Sequence, residues 1–514
     1  MSMPAANTPW PPEKWAPVTS MVGDASLWWE GDTKQLDSHY GGVGAAFRPS
    51  QFAGGVVGAV SRFFWGQPTP KGQSNRKMHL PIAADIAATS ASLLFDTPPT
   101  FTVDDEQAQA NLDDMLNDDR FPADLLVMAE SCAALGGVYG RVMWDTDVSD
   151  DPWIDFVDAD SAYPEFSYGK LTAITFHEEL PKQDEKHVWR LLSRYTKGRI
   201  EYSLYEGRSN NLGDPRPLAN HPSTAPLADI VDAQGGVDSH TTGIAATYIP
   251  NARPVVGFRG DGQLRNIGRP DISPDLFPLF DMLDETWTDM RREMRLGKQR
   301  AVVPEYWLES QGFGKGQEFD LDREFYDAVA STPTEGQGVQ FYSPELRFEY
   351  YLNLADKIVL EILRRANYSP STFGLAGSNT SGQKTAREIE SEYQASIQTW
   401  KAKSRYMRAG LSELSNALLE VHAWLHNLTP PKARVKVDMT APVQETMLDK
   451  ASTIQALDAA RAISTQQKID MLHTEWDEED KQAEVDRILA EQSGLVDYQG
   501  NLEPDQPLDE YPEE

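Results

Sequence analysis

Cysteine is nearly absent from this 514-residue chain: the single Cys132 cannot close an intramolecular disulfide, and no Cys/His spacing resembles a zinc site. Basic residues are scarce too. Lys and Arg number 47 against 79 Asp and Glu, a net charge of −32, and the pI is near 4.6. A surface of that sign repels a polyanion at long range, which excludes a coat that binds by neutralising phosphates. It does not exclude letting DNA slide past. Long apolar runs are missing as well: the longest, Phe52 to Trp65, is broken by Gly54, Gly55, Gly58 and Arg62 and falls short of the ~20 residues that a membrane span needs. The opening MSMPAANTPWPPEKW has neither a basic n-region nor an apolar h-region, so the expectation is a soluble intracellular product.

What is present is ample core material, 40% apolar and 10% aromatic residues, enough at roughly 100–200 residues per domain for about three units. Residues 81 to 95 place Ile82, Ile86, Thr89, Leu93 and Leu94 at helical spacing, and Phe121 to Leu135 repeats that period up to Gly136-Gly137. From Val138 the pattern becomes alternation. Further strand-like runs follow at Trp153–Val157, Leu171–Glu179, Val188–Tyr195 and Ile200–Tyr205, with Lys197-Gly198 as a hairpin turn, and together they predict one antiparallel sheet. Residues 207 to 253 have the composition of a long loop with room for short strands, and Pro254–Phe258 resumes an apolar strand.

The most regular part of the chain comes next. A helix over about Pro274–Lys298 carries Leu276, Phe280, Leu283, Trp287, Met290 and Met294 in steps of 4, 3, 4, 3 and 4, a seam suited to packing on another helix. A second helix, about Pro344–Asn367, lines up Phe348, Tyr351, Ala355, Ile358, Ile362 and Ala366. Between them residues 299 to 343 read as a small strand-and-turn insert, so the pair resembles a stalk with a tip. After a Gly/Ser/Thr/Asn-rich linker, Tyr368 to Thr385, a seam from Ala386 to Leu425 predicts a helix about 60 Å long, with Gly410 as a place where it can bend. A strand at Arg434–Met439 and helices near 443–462, 465–474 and 477–492 complete the chain; Ser464 and Gln467 have capping-box form. Residues 475 to 514 hold 15 acidic and 2 basic residues, a net of −13, and end in a disordered acidic tail over about 495–514.

Motifs that hint at chemistry fail on inspection. Gly377 to Thr385, GSNTSGQKT, resembles a phosphate-binding loop, but Gln383 sets Lys384 one place too far from Gly382, and a helix stands where the motif requires a strand. His177-Glu178-Glu179 lacks a second histidine and sits in a strand pattern. Asp145/Asp147 and Asp158/Asp160 could carry metal in a nuclease, yet acidic pairs after strands more often form turns. Cys132 lies on an apolar helical stripe as a small core residue would. No catalytic residue, metal site or cofactor is expected.

The order of parts, together with SASLLFDTPPTF (Ser90–Phe101), PVVGF leading into IGRPDISPDLFPLFDMLDETWTDM, AGSNTSGQKTAREIESEYQ (Ala376–Gln394) and PVQETMLDKASTIQALDAARAISTQQKIDML (Pro442–Leu472), resembles the portal proteins of tailed, siphophage-type bacteriophages. The resemblance implies an α+β, mainly helical, non-enzymatic subunit. It divides the chain into a flexible N-terminus (1–24), a mixed wing (25–269), a stem helix (270–298), a clip (299–343), a second stem helix (344–367), a tunnel loop (368–384), a long wing helix and strand (385–442), crown helices (443–494) and the tail. It further implies a homo-oligomeric ring, expected to be a dodecamer, at one capsid vertex of the virion, assembled in the host cytoplasm. Double-stranded DNA passes through it; its partners are the terminase large subunit, head-tail connector or adaptor proteins, and the major capsid and scaffolding proteins, with no membrane.

On this sequence the tunnel loop is Gly377, Ser378, Asn379, Thr380, Ser381, Gly382 and Lys384. Cations available for fleeting contact with the DNA backbone are Arg387, Lys401, Lys403 and Arg405, and docking charges on the clip are Lys315, Glu318 and Asp322. Alternatives are a packaging-machine ATPase or nuclease, or a minor capsid or scaffold-like protein without a channel.

Overall fold

The computed structural model describes residues 3–36, 78–116, 120–181, 186–296, 300–302, 309–310, 317–318, 340–342, 347–375, 386–441, 454–455, 457–460, 462–472 and 480–490. The chain divides into two units. One comprises residues 1–376 and 395–440, the other residues 377–394 and 441–514. No helix among the described residues is long and apolar enough to cross a membrane.

The first unit is a mixed α+β body. Four helices come early: α1 (Ala16–Glu30), α2 (Ile82–Phe95), α3 (Glu106–Leu116) and α4 (Arg120–Leu135). The apolar stripes of α1, α2 and α4 meet in one core with residues from later in the chain, where Trp28, Ile86, Leu135, Phe280, Ile358, Ile362 and Tyr368 are all buried. Cys132 is completely buried on α4, and burial pushes its thiol up to about 12. It is an inert packing group.

The strands do not form the single sheet that alternation predicts. They divide between a three-stranded sheet, β2 (Gly137–Met143) flanked by β3 (Trp153–Asp158) and β10 (Ala246–Pro250), and a larger meander of β4 (Ala162–Ser167), β5 (Lys170–Glu179), β6 (Val188–Thr196), β7 (Arg199–Arg208) and β8 (Asn211–Arg216), with β9 (Gly236–Asp238) also paired to β7. The break comes at Asp158–Ser161, a turn in which Ser161 N–H donates to the Asp158 carbonyl at 3.0 Å. Periodicity reports which residues face a core but not which strand is the neighbour. The 207–253 stretch contributes β8, β9 and β10. Pro254–Phe258 is no strand: Val256–Phe258 is a turn of 3-10 helix with Val256 exposed.

The N-terminus is not flexible up to residue 24. Trp10 is buried with Leu192, Tyr205 and Leu212, and Pro9 bridges to Asn211. The Trp10 ring faces the guanidinium of Arg190, which is only 1% exposed. Arg190 donates to Glu179 Oε1 at 2.8 Å and to the Arg208 carbonyl at 2.8 Å, so its buried charge is fully engaged. His177 stacks on Tyr163 beside the same tryptophan, as a structural histidine.

Two long helices, α5 (Phe277–Leu296) and α6 (Phe348–Ala366), run antiparallel. The end of α5 meets the start of α6 through Glu293 and Arg347, 3.1 Å apart, and Arg365 near the end of α6 donates to the Asp275 carbonyl just before α5 at 3.4 Å. The hairpin continues into β11 (Arg300–Val302) paired with β14 (Gln340–Tyr342), and inside that loop β12 (Glu309–Ser310) pairs with β13 (Gln317–Glu318). The seam is buried at its base, at Leu276, Phe280, Ile358 and Ile362, and opens outward: Met294 is 50% and Phe348 44% exposed.

A helix of 40 residues, α7 (Ala386–Leu425), follows. Its Gly410 is explained by close approach: a Cβ there would overlap the Ile249 side chain on β10, as a Cβ at Gly140 on β2 would overlap Leu414. Small residues let this helix lie against the three-stranded sheet, and Thr247 on that sheet donates to Glu413 at 2.8 Å. β15 (Lys436–Asp438) then returns to pair with β1 (Thr100–Thr102).

In the second unit, described residues include the helix α8 (Thr465–Leu472) and a helical segment over 480–490. α8 begins with the capping box the sequence announced: Gln467 N–H donates to Ser464 Oγ at 3.3 Å and Ser464 N–H to Gln467 Oε1 at 3.4 Å. The acidic tail and all of residues 442–453 lie outside the described residues.

Candidate functional site: the loop base between the long helices

The linker between α6 and α7 starts from a rigid footing. α6 ends at Asn367 in the left-handed conformation (φ 62°), and Tyr368 N–H reaches back to the Leu363 carbonyl at 2.9 Å. A 3-10 turn over Pro370–Phe373 closes on Gly374 at φ 71°. Each step is tied to α7. Thr399 Oγ1 donates to the Asn367 carbonyl at 2.7 Å, Ser369 N–H donates to Ser396 Oγ at 2.9 Å, and Thr372 and Ser396 share a hydroxyl hydrogen bond of 2.7 Å. Ser396 is fully buried. Small hydroxyl residues on one face of α7 thus replace the apolar side chains expected at a helix contact.

One turn further, Lys403 reaches into the core. Only 3% exposed, it contacts the Asp271 carboxylate and donates to Ser90 Oγ at 2.7 Å on α2 and to the Tyr368 hydroxyl at 3.0 Å. Tyr368 OH donates to Asp271 Oδ2 at 2.8 Å, and Asn251 Nδ2 to Asp271 Oδ1 at 2.9 Å. Burial, reinforced by Asp271, drives the Tyr368 phenol well above its ordinary value, so it remains a donor. The cluster binds α2, the approach to α5, the end of α6 and α7 at one point.

Lys403 is therefore not a cation presented to DNA. The seam read from sequence places Ser404 next to it on the buried stripe, and the aliphatic stem allows the lysine to occupy that face as well. Lys401 and Arg405 are exposed on α7, and Arg408, half-buried, lies over the Trp400 ring. Arg387 falls on the first turn of α7 with its side chain outside the description. Gly377, Ser378, Asn379, Thr380, Ser381, Gly382 and Lys384 lie outside the described residues, as do Lys315 and Asp322; Glu318 stands opposite Glu309 on the β12–β13 ladder.

The polar pairs weighed as chemistry have structural roles among the described residues. Asp147 N–H donates to Asp145 Oδ1 at 2.9 Å in a turn, and Asp158 terminates β3. What the sequence reading passed over is His422 and His426, one helical turn apart at the end of α7, whose i, i+4 spacing was the available signal.

A family model described as phage portal protein, SPP1 Gp6-like, matches residues 54–496, most of the chain. The chain belongs to that portal family. It is a structural protein and not an enzyme. Among solved structures, the portal chain is similar to one in the neck of an empty gene transfer agent (GTA) particle computed with C6 symmetry: 10% identity, 77% of this chain and 91% of that chain covered, TM-score 0.41. It is also similar to a chain in the neck of the native particle computed with C12 symmetry, at 11% identity, 81% and 99% coverage and TM-score 0.37. A chain of the native GTA virion gives 10% identity over the same shares, with TM-score 0.37. No curated protein matches.

Proposed function

We infer that this portal protein works as one subunit of a closed ring, a dodecamer, at a single vertex of the capsid, through which double-stranded DNA is packaged and later ejected. Membership of the portal family across residues 54–496 carries the reading. Two physical features support it. The α5–α6 hairpin leaves Met294, Phe348 and Tyr350 exposed at its far end, apolar area that neighbouring copies would cover in a heterologous interface that closes on itself. The charge of −32 suits a conduit wall that DNA must cross without adhering.

In this reading α5 and α6 are the stem, residues 299–343 the clip, 368–384 the tunnel loop, α7 the long wing helix and the segment from 443 the crown. The loop Gly377–Lys384 faces the passing duplex from the footing described above. Lys401 and Arg405, with Arg387, meet phosphates transiently. Lys315, Glu318 and Asp322 serve the docking of the terminase large subunit and, later, of the head-tail connector; capsid and scaffolding proteins surround the ring in the virion.

The test is electron microscopy of the purified protein with mass photometry, with and without scaffolding protein. Rings with a central hole are expected. Particles that stay monomeric under all conditions, or assemblies without a hole, overturn the channel.

A further inference from the structure

The end of α7 and the β2–β3 loop bring together three ligand-bearing side chains that play no part in the reading above. His422 stands in the last turn of α7 and His426 follows one turn on, just past its end, and both Nε2 atoms face the same carboxylate oxygen, Asp151 Oδ1, at 3.4 Å and 2.9 Å. Among the described residues this is the one group of three metal-ligating side chains whose donor atoms converge, all within 4.8 Å of one another. We propose that Asp151, His422 and His426 form a binding site for a transition-metal dication of the zinc class.

Four features favour a cation there. Donor atoms bound to one metal at about 2.0–2.2 Å lie roughly 3–3.5 Å apart, close to both separations from Asp151 Oδ1. The i, i+4 histidine spacing, closed by a hydrogen bond from His426 N–H to the His422 carbonyl at 3.0 Å as the helix ends, brings both rings to one side, the spacing used by helical zinc sites. Two imidazoles with one carboxylate select zinc, cobalt or nickel over magnesium and calcium, which take oxygen ligands. The site also sits at the carboxyl end of a 40-residue helix, where the backbone dipole favours positive charge.

The surroundings permit entry and a fourth ligand. Asp151 and His426 are each more than 40% exposed at the side chain, leaving one side open to water. Asp151 also borders a cleft of about 600 Å³ that Asp114, Asp124, Asp155 and Asp158 line as well, which raises the local concentration of cations. The neighbouring loop is already shaped: Ser149 N–H donates to the Asp145 carbonyl at 2.9 Å and Asp151 N–H to Ser149 Oγ at 3.2 Å. A bound ion would be a staple between the β2–β3 loop and α7, elements whose remaining contacts are packing and hydrogen bonds. The proposal does not depend on the channel reading.

The test uses the full chain, stripped with a chelator and titrated with cobalt(II) while the visible d–d absorption is recorded, with zinc then counted by equilibrium dialysis. One equivalent per chain is expected, with a tetrahedral cobalt spectrum, a raised melting temperature in zinc and no displacement by equimolar magnesium or calcium. His426→Gln and Asp151→Asn alter exposed side chains, so folding is checked by circular dichroism; each should reduce affinity at least tenfold and abolish the melting shift. Failure of the wild-type chain to take up one equivalent, or unchanged uptake by the folded Asp151→Asn/His426→Gln double variant, overturns the site.

Discussion

Lys403 and Asp271, 132 residues apart in sequence, form a buried ion pair, with Ser90, Tyr368 and Asn251 completing its hydrogen bonds. Removing one member leaves the other charge without water or counter-ion. Lys403→Met is therefore expected to destabilise the subunit by about 3–5 kcal/mol, the usual loss for a broken buried pair. Lys403→Met with Asp271→Asn should lose less than the sum of the single changes. Chemical denaturation of the four proteins in a double-mutant cycle checks this; strict additivity would show that the pair is not coupled.

This pair also marks where sequence reading ends. The period of α7 was legible because its apolar seam repeats over 40 residues, and the capping box of α8 was legible because both partners lie within four residues. Lys403 was misjudged because its partners come from residues 90, 271 and 368, and nothing local separates a buried lysine from an exposed one. The same limit explains the sheets: alternation found the strands, while the turn after Asp158 decides which sheet each joins. Trp10 looked like part of a loose leader until Arg190, far along the chain, supplied its partner. Gly410 looked like a bend, whereas its reason lies across the interface in Ile249.

That glycine yields a second expectation. On an exposed helix face, Gly→Ala stabilises by about 1 kcal/mol. At Gly410 the new methyl meets Ile249, and overpacking of this kind costs about 1–3 kcal/mol. Gly410→Ala should be neutral to destabilising, Gly410→Leu clearly worse, and Ile249→Ala should recover part of the loss in the Gly410→Leu background. Thermal melts of these variants suffice, and a stabilised Gly410→Ala protein would place the helix farther from the sheet.

The far end of the α5–α6 hairpin is expected to be acid-sensitive through Glu293. Hydrogen bonds from Arg347 and Tyr351 hold its carboxyl at about 2, below the ordinary 4.5. A carboxyl with a lowered folded-state pKa adds stability that is complete above its unfolded value near 4.5 and is lost as the pH falls toward 2. Glu293→Gln should therefore flatten the dependence of stability on pH between about 4.5 and 2, with little effect on its slope from pH 6 to 8. Parallel slopes in wild type and variant across the acid range would mean that the Arg347 contact is not maintained in solution.

For the loop, deletion of Gly377–Ser381 should leave the footing at Asn367–Gly374 and the melting temperature within a few degrees of wild type, while lowering the amount of nuclease-protected DNA in assembled heads. Lys401→Glu with Arg405→Glu should act in the same direction through repulsion of phosphate. Packaging at wild-type levels in both proteins would remove the loop and these cations from DNA handling.

The pairing of β1 with β15 sets an order of events for the growing chain. Thr100–Thr102 must wait for Lys436–Asp438 before their backbone groups are satisfied, and Ser90 waits likewise for Lys403. The early helices can therefore collapse but cannot lock until α7 and the strand beyond it have been synthesised, which makes the first unit a body of high contact order that completes late. Until then the apolar faces of the α5–α6 hairpin belong to an unfinished chain. If copies pair through that hairpin, as in the ring proposed above, premature pairing is disfavoured, because the surface is presented in final form only by a chain that is nearly complete.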